Sequence, residues 1–367
     1  MKIRSLLLLP LMFGTMTLSA CGETPKVELK YGQMADVNPR YIDYQTLKEK
    51  FENNETFLLT TYAQTCTCWS TFKSVLNGYI NESHALVYAI NYNAFHDTTG
   101  ASLDTFGLNI QSGYTSFAIV NKGELVQNLK SGKDKIFTDV SVFTQFMSEM
   151  VILPKMFYVS LEQVDQLYAT DATSAIYFAR SNCGDCQYFD KNFLDLYSPN
   201  GKLYILDCEE IGIRVYEEDG SLTPESKIAW NNFKANYGLG SANNPDYGYD
   251  TGYVPTLLLV KGNSAEGGKP TFLSGACYFN DSLAQDDKGY YVSNSYYTDE
   301  RKEKLEYLVN FEGTSVLKGL RLDASDVGTY GSYIYWNQES AQKYHDPLVK
   351  AFLDYALAKV DHDKFVS

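Results

Sequence analysis

The chain carries two close cysteine pairs, Cys66-Thr67-Cys68 and Cys183-Gly184-Asp185-Cys186. Each stands where a β-rich apolar run gives way to a helix-patterned segment. In the first copy, Tyr44 to Phe51 places apolar residues at helical spacing and leads into Thr56-Phe57-Leu58-Leu59-Thr60-Thr61-Tyr62-Ala63. After the cysteines, Trp69, Phe72, Leu76 and Tyr79 recur every three or four residues, the period of one helix face. In the second copy, Leu161, Val164, Leu167 and Tyr168 form the first stripe, and Ser174 to Ala179 reads as a strand. Phe189, Phe193, Leu196 and Tyr197 form the stripe after the cysteines. A helix, a strand, a cysteine pair and a helix therefore occur twice, which demands an architecture built from two like units.

The copies continue in parallel. Ala85 to Ile90 and Leu203 to Leu206 read as buried strands. The run from Gly113 to Gly123 matches Gly252 to Gly262, each a strand closing in Lys-Gly, and Ser116 stands where the second copy has Pro255. The second copy is longer. It inserts a helix over 227–237, a Gly/Asn/Tyr-rich loop over 238–252 and a C-terminal extension ending in a helix over 347–360. The linker falls at 151–158. Strands alternating with helices predict α/β units. The expected division is 41–152 for the first domain and 153–367 for the second.

The first residues predict an export route. Lys2 and Arg4 form a positive start, an apolar run follows to Leu18, and Leu18-Ser19-Ala20-Cys21 ends it. This resembles the signal peptide and lipobox of bacterial lipoproteins, which implies cleavage after residue 20 and lipidation of Cys21. The expected location is the cell membrane, lipid-anchored, on the extracytoplasmic face. Residues 21–40 are polar with two prolines and read as a tether. With 31 basic against 45 acidic residues and a net charge of −14, nucleic acid is excluded as a partner. Four scattered His residues argue against a His-built metal site.

Six cysteines remain besides Cys21. Units of this size fold without staples, so close pairs at strand–helix junctions point to redox chemistry. At a helix N-terminus, unsatisfied N–H groups stabilise a thiolate, so Cys183 is the candidate nucleophile and Cys186 the candidate resolver. Structural zinc would need a second nearby pair of ligands, and the other pair lies in the other unit. The expected metal content is none, and no bound cofactor is required.

The strand before Cys183-Gly184-Asp185-Cys186, the helix after it and the distant Val254-Pro255-Thr256-Leu257-Leu258-Leu259-Val260 run together resemble the thioredoxin superfamily. The resemblance covers about residues 159–280, with a weaker copy at about 42–150. It implies two tandem thioredoxin-like domains, each a central mixed sheet flanked by helices, the second with insertions. It also implies a cis peptide before Pro255, which shapes the substrate groove in that family and keeps metal off the thiols. The chain departs from the family at Tyr177, where a buried acid is usual, at Asn182 for Trp, and at Asp185 for Pro. The missing acid leaves the proton acceptor of Cys186 open, with Asp185 one candidate. Asp185 should also raise the pKa of Cys183, against the helix dipole.

Cys66 and Cys68 form a candidate second redox pair, or mark a degenerate scaffold kept for binding. Their smaller ring should make a disulfide there easier to reduce. Cys208 and Cys277 are either a structural disulfide or two separate buried thiols. The reading that follows is thiol–disulfide exchange on the thiols or disulfides of exported proteins, served by a separate electron donor or acceptor. The alternatives on the same scaffold are a non-enzymatic binding lipoprotein and an accessory protein for bacteriocin export. Asp246-Tyr247-Gly248-Tyr249-Asp250 lacks the oxygen ligands of a calcium loop, and Asp361-His362-Asp363 reads as a polar tail.

Overall fold

The computed structural model describes residues 25–34, 36–96, 105–108, 114–132, 134–278, 284–292, 296–309, 320–330 and 333–361. Residues 1–20, where a signal peptide is expected, Cys21, Gly113 and residues 362 and 363 lie outside them. No helix among the described residues is long and apolar enough to cross a membrane.

Two short strands come first, β1 (Val27–Glu28) and β2 (Tyr31–Gln33). The first unit follows as β3 (Arg40–Tyr41), α1 (Tyr44–Glu52), β4 (Phe57–Tyr62), α2 (Thr67–Ser83), β5 (Val87–Asn91), α3 (Asn93–His96), β6 (Ser116–Asn121), β7 (Glu124–Lys130) and α4 (Val140–Met150). Asp43 caps α1 by accepting from the Thr46 N–H at 2.8 Å. The sheet order is β3-β5-β4-β6-β7, with β3, β5 and β4 parallel and the last two pairings antiparallel. Every residue of β4 is buried, as a central strand covered on both faces requires. Trp69, Phe72 and Phe143 fill one face of the sheet, and Leu47, Phe51 and Phe95 the other.

After β8 (Val151–Ile152), the second unit runs β9 (Met156–Tyr158), α5 (Leu161–Tyr168), β10 (Thr173–Ala179), α6 (Gly184–Asn192), β11 (Leu203–Asp207), α7 (Pro224–Asn236), β12 (Thr256–Lys261) and β13 (Thr271–Cys277). Its order, β13-β12-β10-β11-β9-β2, repeats that of the first unit strand for strand and adds β2 at the edge. β9, β11 and β10 run parallel, with α5 crossing from β9 over to β10 and α6 from β10 back to β11, and β12 and β13 close antiparallel. Both units are thioredoxin-like, and the chain is a tandem of them. The C-terminal extension packs on the second unit. Its helix Asp346–Leu357 buries Leu348, Phe352 and Leu353, and the Tyr188 hydroxyl donates to the Trp336 carbonyl at 2.7 Å.

One expectation fails here. Within the tether expected over 21–40, residues 27–28 and 31–33 form strands, and the linker over 151–158 itself carries β8 and β9. β1 pairs with β8 and β2 with β9, so the segment from Val27 to Met34 stitches both units to the joint between them. Val27 and Leu29 enter the core of the first unit and Met34 that of the second. Val27, Leu29, Tyr31 and Gln33 alternate with polar or small residues, the two-residue period of a strand, which the polar composition obscures. Each large apolar side chain buried this way contributes about 1.5–3 kcal/mol. Gly32 sits at the crossing, where a Cβ would lie 2.5 Å from the His84 carbonyl oxygen and 2.7 Å from Phe157.

Candidate functional site

β10, an interior strand, delivers the chain to the end of the sheet, and Arg180-Ser181-Asn182 turn it into α6. Cys183 occupies the N-cap position and is half-buried, whereas Cys186, in the first turn, is fully buried. Both are free thiols. The Arg180 N–H donates to the Cys186 sulfur at 3.3 Å. The loop before β12 closes the other side. Its Val254–Pro255 peptide is cis, and the Val254 carbonyl oxygen lies 3.6 Å from the Cys183 sulfur. The three residues read as the redox site, Cys183, Cys186 and Pro255, thus meet in space.

The two thiols differ in acidity. A hydrogen bond from the Cys186 side chain, helped by the Cys186 N–H and the Arg180 charge, brings Cys183 down to about 7 against burial and the Asp185 charge. Burial first, then the bond to Cys183 and its charge, pushes Cys186 well up. A half-buried thiol of lowered pKa beside a fully buried thiol of raised pKa is the division of labour that exchange needs.

Sequence reasoning missed the buried acid. Tyr177 fills the usual acid position on β10, but its hydroxyl donates to Asp190 Oδ1 at 2.9 Å. Asp190 lies one helical turn beyond Cys186 on the same face of α6. Burial, with the charges of Asp195, Asp207 and Cys183, raises its pKa to about 7, and the Tyr177 bond opposes the rise. The residue retains some surface because its carboxyl borders a cavity of about 70 Å³ that Tyr31, Tyr158 and Asp207 also line. Asp185, the sequence candidate for proton acceptor, acts instead as a charge against the Cys183 thiolate. The available signals were a tyrosine hydroxyl inside the apolar run Ala175-Ile176-Tyr177-Phe178-Ala179 and an acid four residues after Cys186.

The first unit holds a disulfide between Cys66, the N-cap of α2, and Cys68. The Cys68 sulfur lies 3.4 Å from the Thr115 hydroxyl, and Thr115 corresponds to Val254 in the repeat. Ser116, in place of Pro255, contacts the Thr61 hydroxyl. The loop before the fourth strand thus faces the cysteine pair in both units.

Cys208 and Cys277 are not bridged. Both are buried thiols, Cys277 against the Thr256 hydroxyl at 3.3 Å. Cys208 follows β11 and Cys277 ends β13, with β10 and β12 between them. Three strand spacings of about 4.8 Å exceed the reach of a disulfide.

No family model matches the chain, and no curated protein matches it. Solved structures of similar fold include a point-mutant thioredoxin from Halobacterium salinarum, at 18% identity over 34% of this chain and 100% of that one, with a TM-score of 0.25. The first two thioredoxin domains of Naumovozyma dairenensis Eps1p align at 13% identity over 65% of this chain and 91% of theirs, with a TM-score of 0.22. Zinc-bound human ERp44 aligns at 10% identity over 65% of this chain, with a TM-score of 0.23, and the chain spans 54% of its length.

Proposed function

We propose that the chain is a membrane-anchored, extracytoplasmic thiol–disulfide oxidoreductase acting on exported proteins. The observation that carries the reading is the pairing of a half-buried Cys183, held at about 7, with a fully buried Cys186 beneath the Val254–Pro255 loop. The Cys183 thiolate attacks one sulfur of a substrate disulfide and expels the other as a thiolate, which takes a proton from solvent. Cys186 then gives its proton to Asp190 and attacks the Cys183 sulfur, releasing the second substrate thiolate. The substrate gains two electrons and the Cys183–Cys186 disulfide forms. A separate dithiol donor restores it, and with a disulfide acceptor the same steps run in reverse.

Anchoring rests on Leu18-Ser19-Ala20-Cys21, with acyl chains on Cys21 each adding about 0.8 kcal/mol per buried CH₂. The test is trapping in cells. Cys186→Ser should accumulate mixed disulfides with exported proteins in the membrane fraction, and adding Cys183→Ser should remove them. Cys21→Ala should move the adducts out of that fraction or leave the chain unprocessed. Adducts that persist without Cys183 would refute the assignment of the nucleophile.

A further inference from the structure

The stretch between β11 and α7 turns back on itself as a tight hairpin. The Glu217 N–H donates to the Ser221 carbonyl at 2.7 Å and the Thr223 N–H to the Val215 carbonyl at 3.0 Å, while Tyr216 bridges to Leu222. α7 fixes the hairpin from behind. The Val215 N–H donates to the hydroxyl of the buried Ser226 at 2.9 Å, and the Arg214 guanidinium lies 4.8 Å over the Trp230 ring.

The hairpin reaches the turn that carries Cys183. The Tyr216 hydroxyl accepts from the Asn182 side-chain amide at 3.3 Å and from Arg214 Nε at 3.1 Å, and it donates to Glu209 Oε2 at 3.4 Å. Those three bonds use its one hydrogen and both lone pairs. Asn182 Oδ1 in turn accepts from Arg180 Nε at 3.2 Å. Glu209 Oε2 lies 3.6 Å from Arg180 Nε and 3.4 Å from Arg214 Nε. The side chains of Arg180, Glu209 and Arg214 are only 19%, 21% and 8% exposed, so salt screens their charges less than those of surface pairs. Glu209 is shared between two guanidiniums and fixes both without neutralising both. Asn182 stands directly before Cys183 and Arg180 three residues before it. Left to itself, an arginine side chain spreads over many rotamers; here its head group is held at both the turn and the hairpin. Among the groups that act on the Cys183 sulfur, Arg180 is the cation. From α6, Asp185 opposes the thiolate, Cys186 hydrogen-bonds to it and Asp190 lies a turn further on, while the loop before β12 brings the Val254 carbonyl oxygen. In the first unit Ala63 stands three residues before Cys66, in the place of Arg180.

We propose that the segment over 209–223 is a clasp on the redox site, in which Tyr216 and Glu209 are positioning residues that hold the Arg180 guanidinium beside Cys183 and so favour its thiolate. The inference rests on Cys183 being the nucleophile and deepens that reading. It assigns a task at the cysteines to a loop that lies outside the strand, cysteine pair and helix of the repeat.

The test is the pH profile of Cys183 alkylation by iodoacetamide on the full chain in detergent, read by mass spectrometry. The unaltered chain should show a midpoint at about 7. Arg180→Gln should raise that midpoint by about 0.5–1 pH unit, the scale of one partly screened charge. Arg180→Lys keeps the charge but not the planar fork, and should raise it less than Arg180→Gln does. Tyr216→Phe removes one hydroxyl from an exposed ring and changes no charge, so it tests placement with little risk to the fold. It should raise the midpoint of the unaltered chain and leave that of Arg180→Gln where it is, because the hydroxyl acts through the guanidinium. A midpoint at about 7 that ignores Arg180→Gln, or an equal response to Tyr216→Phe with and without Arg180, would overturn the proposal and leave the exchange reading standing. A midpoint at about 8.5 in the unaltered chain, the ordinary thiol value, would overturn the assignment of Cys183 and the proposal with it.

Discussion

Replacing Asp190 with Asn separates what the buried acid does for chemistry from what it costs in stability. In the fold its carboxyl titrates at about 7, against an ordinary 3.8. A raised carboxyl pKa means that the folded state binds more protons than the unfolded state between these values. Stability contributed by the neutral acid is therefore intact below about pH 4 and is lost as pH rises through about 7. The full rise corresponds to about 4 kcal/mol. Access of water to the adjoining cavity lowers the expected loss to about 2–4 kcal/mol. Asn retains the acceptor for the Tyr177 hydroxyl and carries no charge. Urea unfolding should show the stability of the unaltered chain falling from pH 5 to pH 8 by about 1–2.5 kcal/mol more than that of Asp190→Asn, the part of the loss that falls in this window. The variant's exchange rate should fall, because Cys186 loses its proton acceptor, and the part of the pH dependence that Asp190 supplies should go with it. Parallel stability curves from pH 5 to pH 8, together with an unchanged rate profile, would refute the reasoning.

Three further outcomes are expected. Alkylation of Cys183 should accelerate about tenfold per pH unit below 7 and level off above it, while Cys186 stays protected; mass spectrometry of both sites checks this, and equal slow labelling contradicts it. Gly32→Ala drives a methyl group against the His84 carbonyl and the Phe157 ring, and should cost about 1–3 kcal/mol in urea unfolding. Replacing Cys66 and Cys68 together with Ser should leave exchange at Cys183 unchanged, and a fall in that rate would place the first unit on the electron path.

Where the hydrophobic period was clean, the sequence read well. Helices over 44–52 and 161–168, strands over 57–62 and 173–179, and the helix after each cysteine pair stand close to where the pattern put them. The second of those helices is shorter, because Phe193 departs from helical backbone and the last apolar residues lie in a separate 3₁₀ turn. The meeting of Cys183, Cys186 and the Pro255 loop was also legible, because strand, cysteines and proline each have a fixed place in the repeat. The role of Asp190 was not. It depends on which face of α6 turns inward and on a tyrosine reaching it from a neighbouring strand. The arm over 27–34 was missed because two-residue alternation is weak evidence over so few residues, and its partners lie far along the chain. Likewise, separate strands for Cys208 and Cys277 did not decide their pairing until the sheet order placed two strands between them.

That arm also sets an order of events for folding. Val27 finds its partner at Val151 and Tyr31 finds its partner at Met156, across the whole first unit. β2 completes the edge of a sheet whose other strands come still later in the chain. Closing so long a loop gains nothing until the partner strands exist. The first unit can assemble its own five strands as soon as it is made, but β1 and β2 must wait for β8, β9 and the sheet behind them. The segment synthesised earliest among the described residues is thus among the last to be placed, and until then β9 keeps an unpaired edge open to other strands.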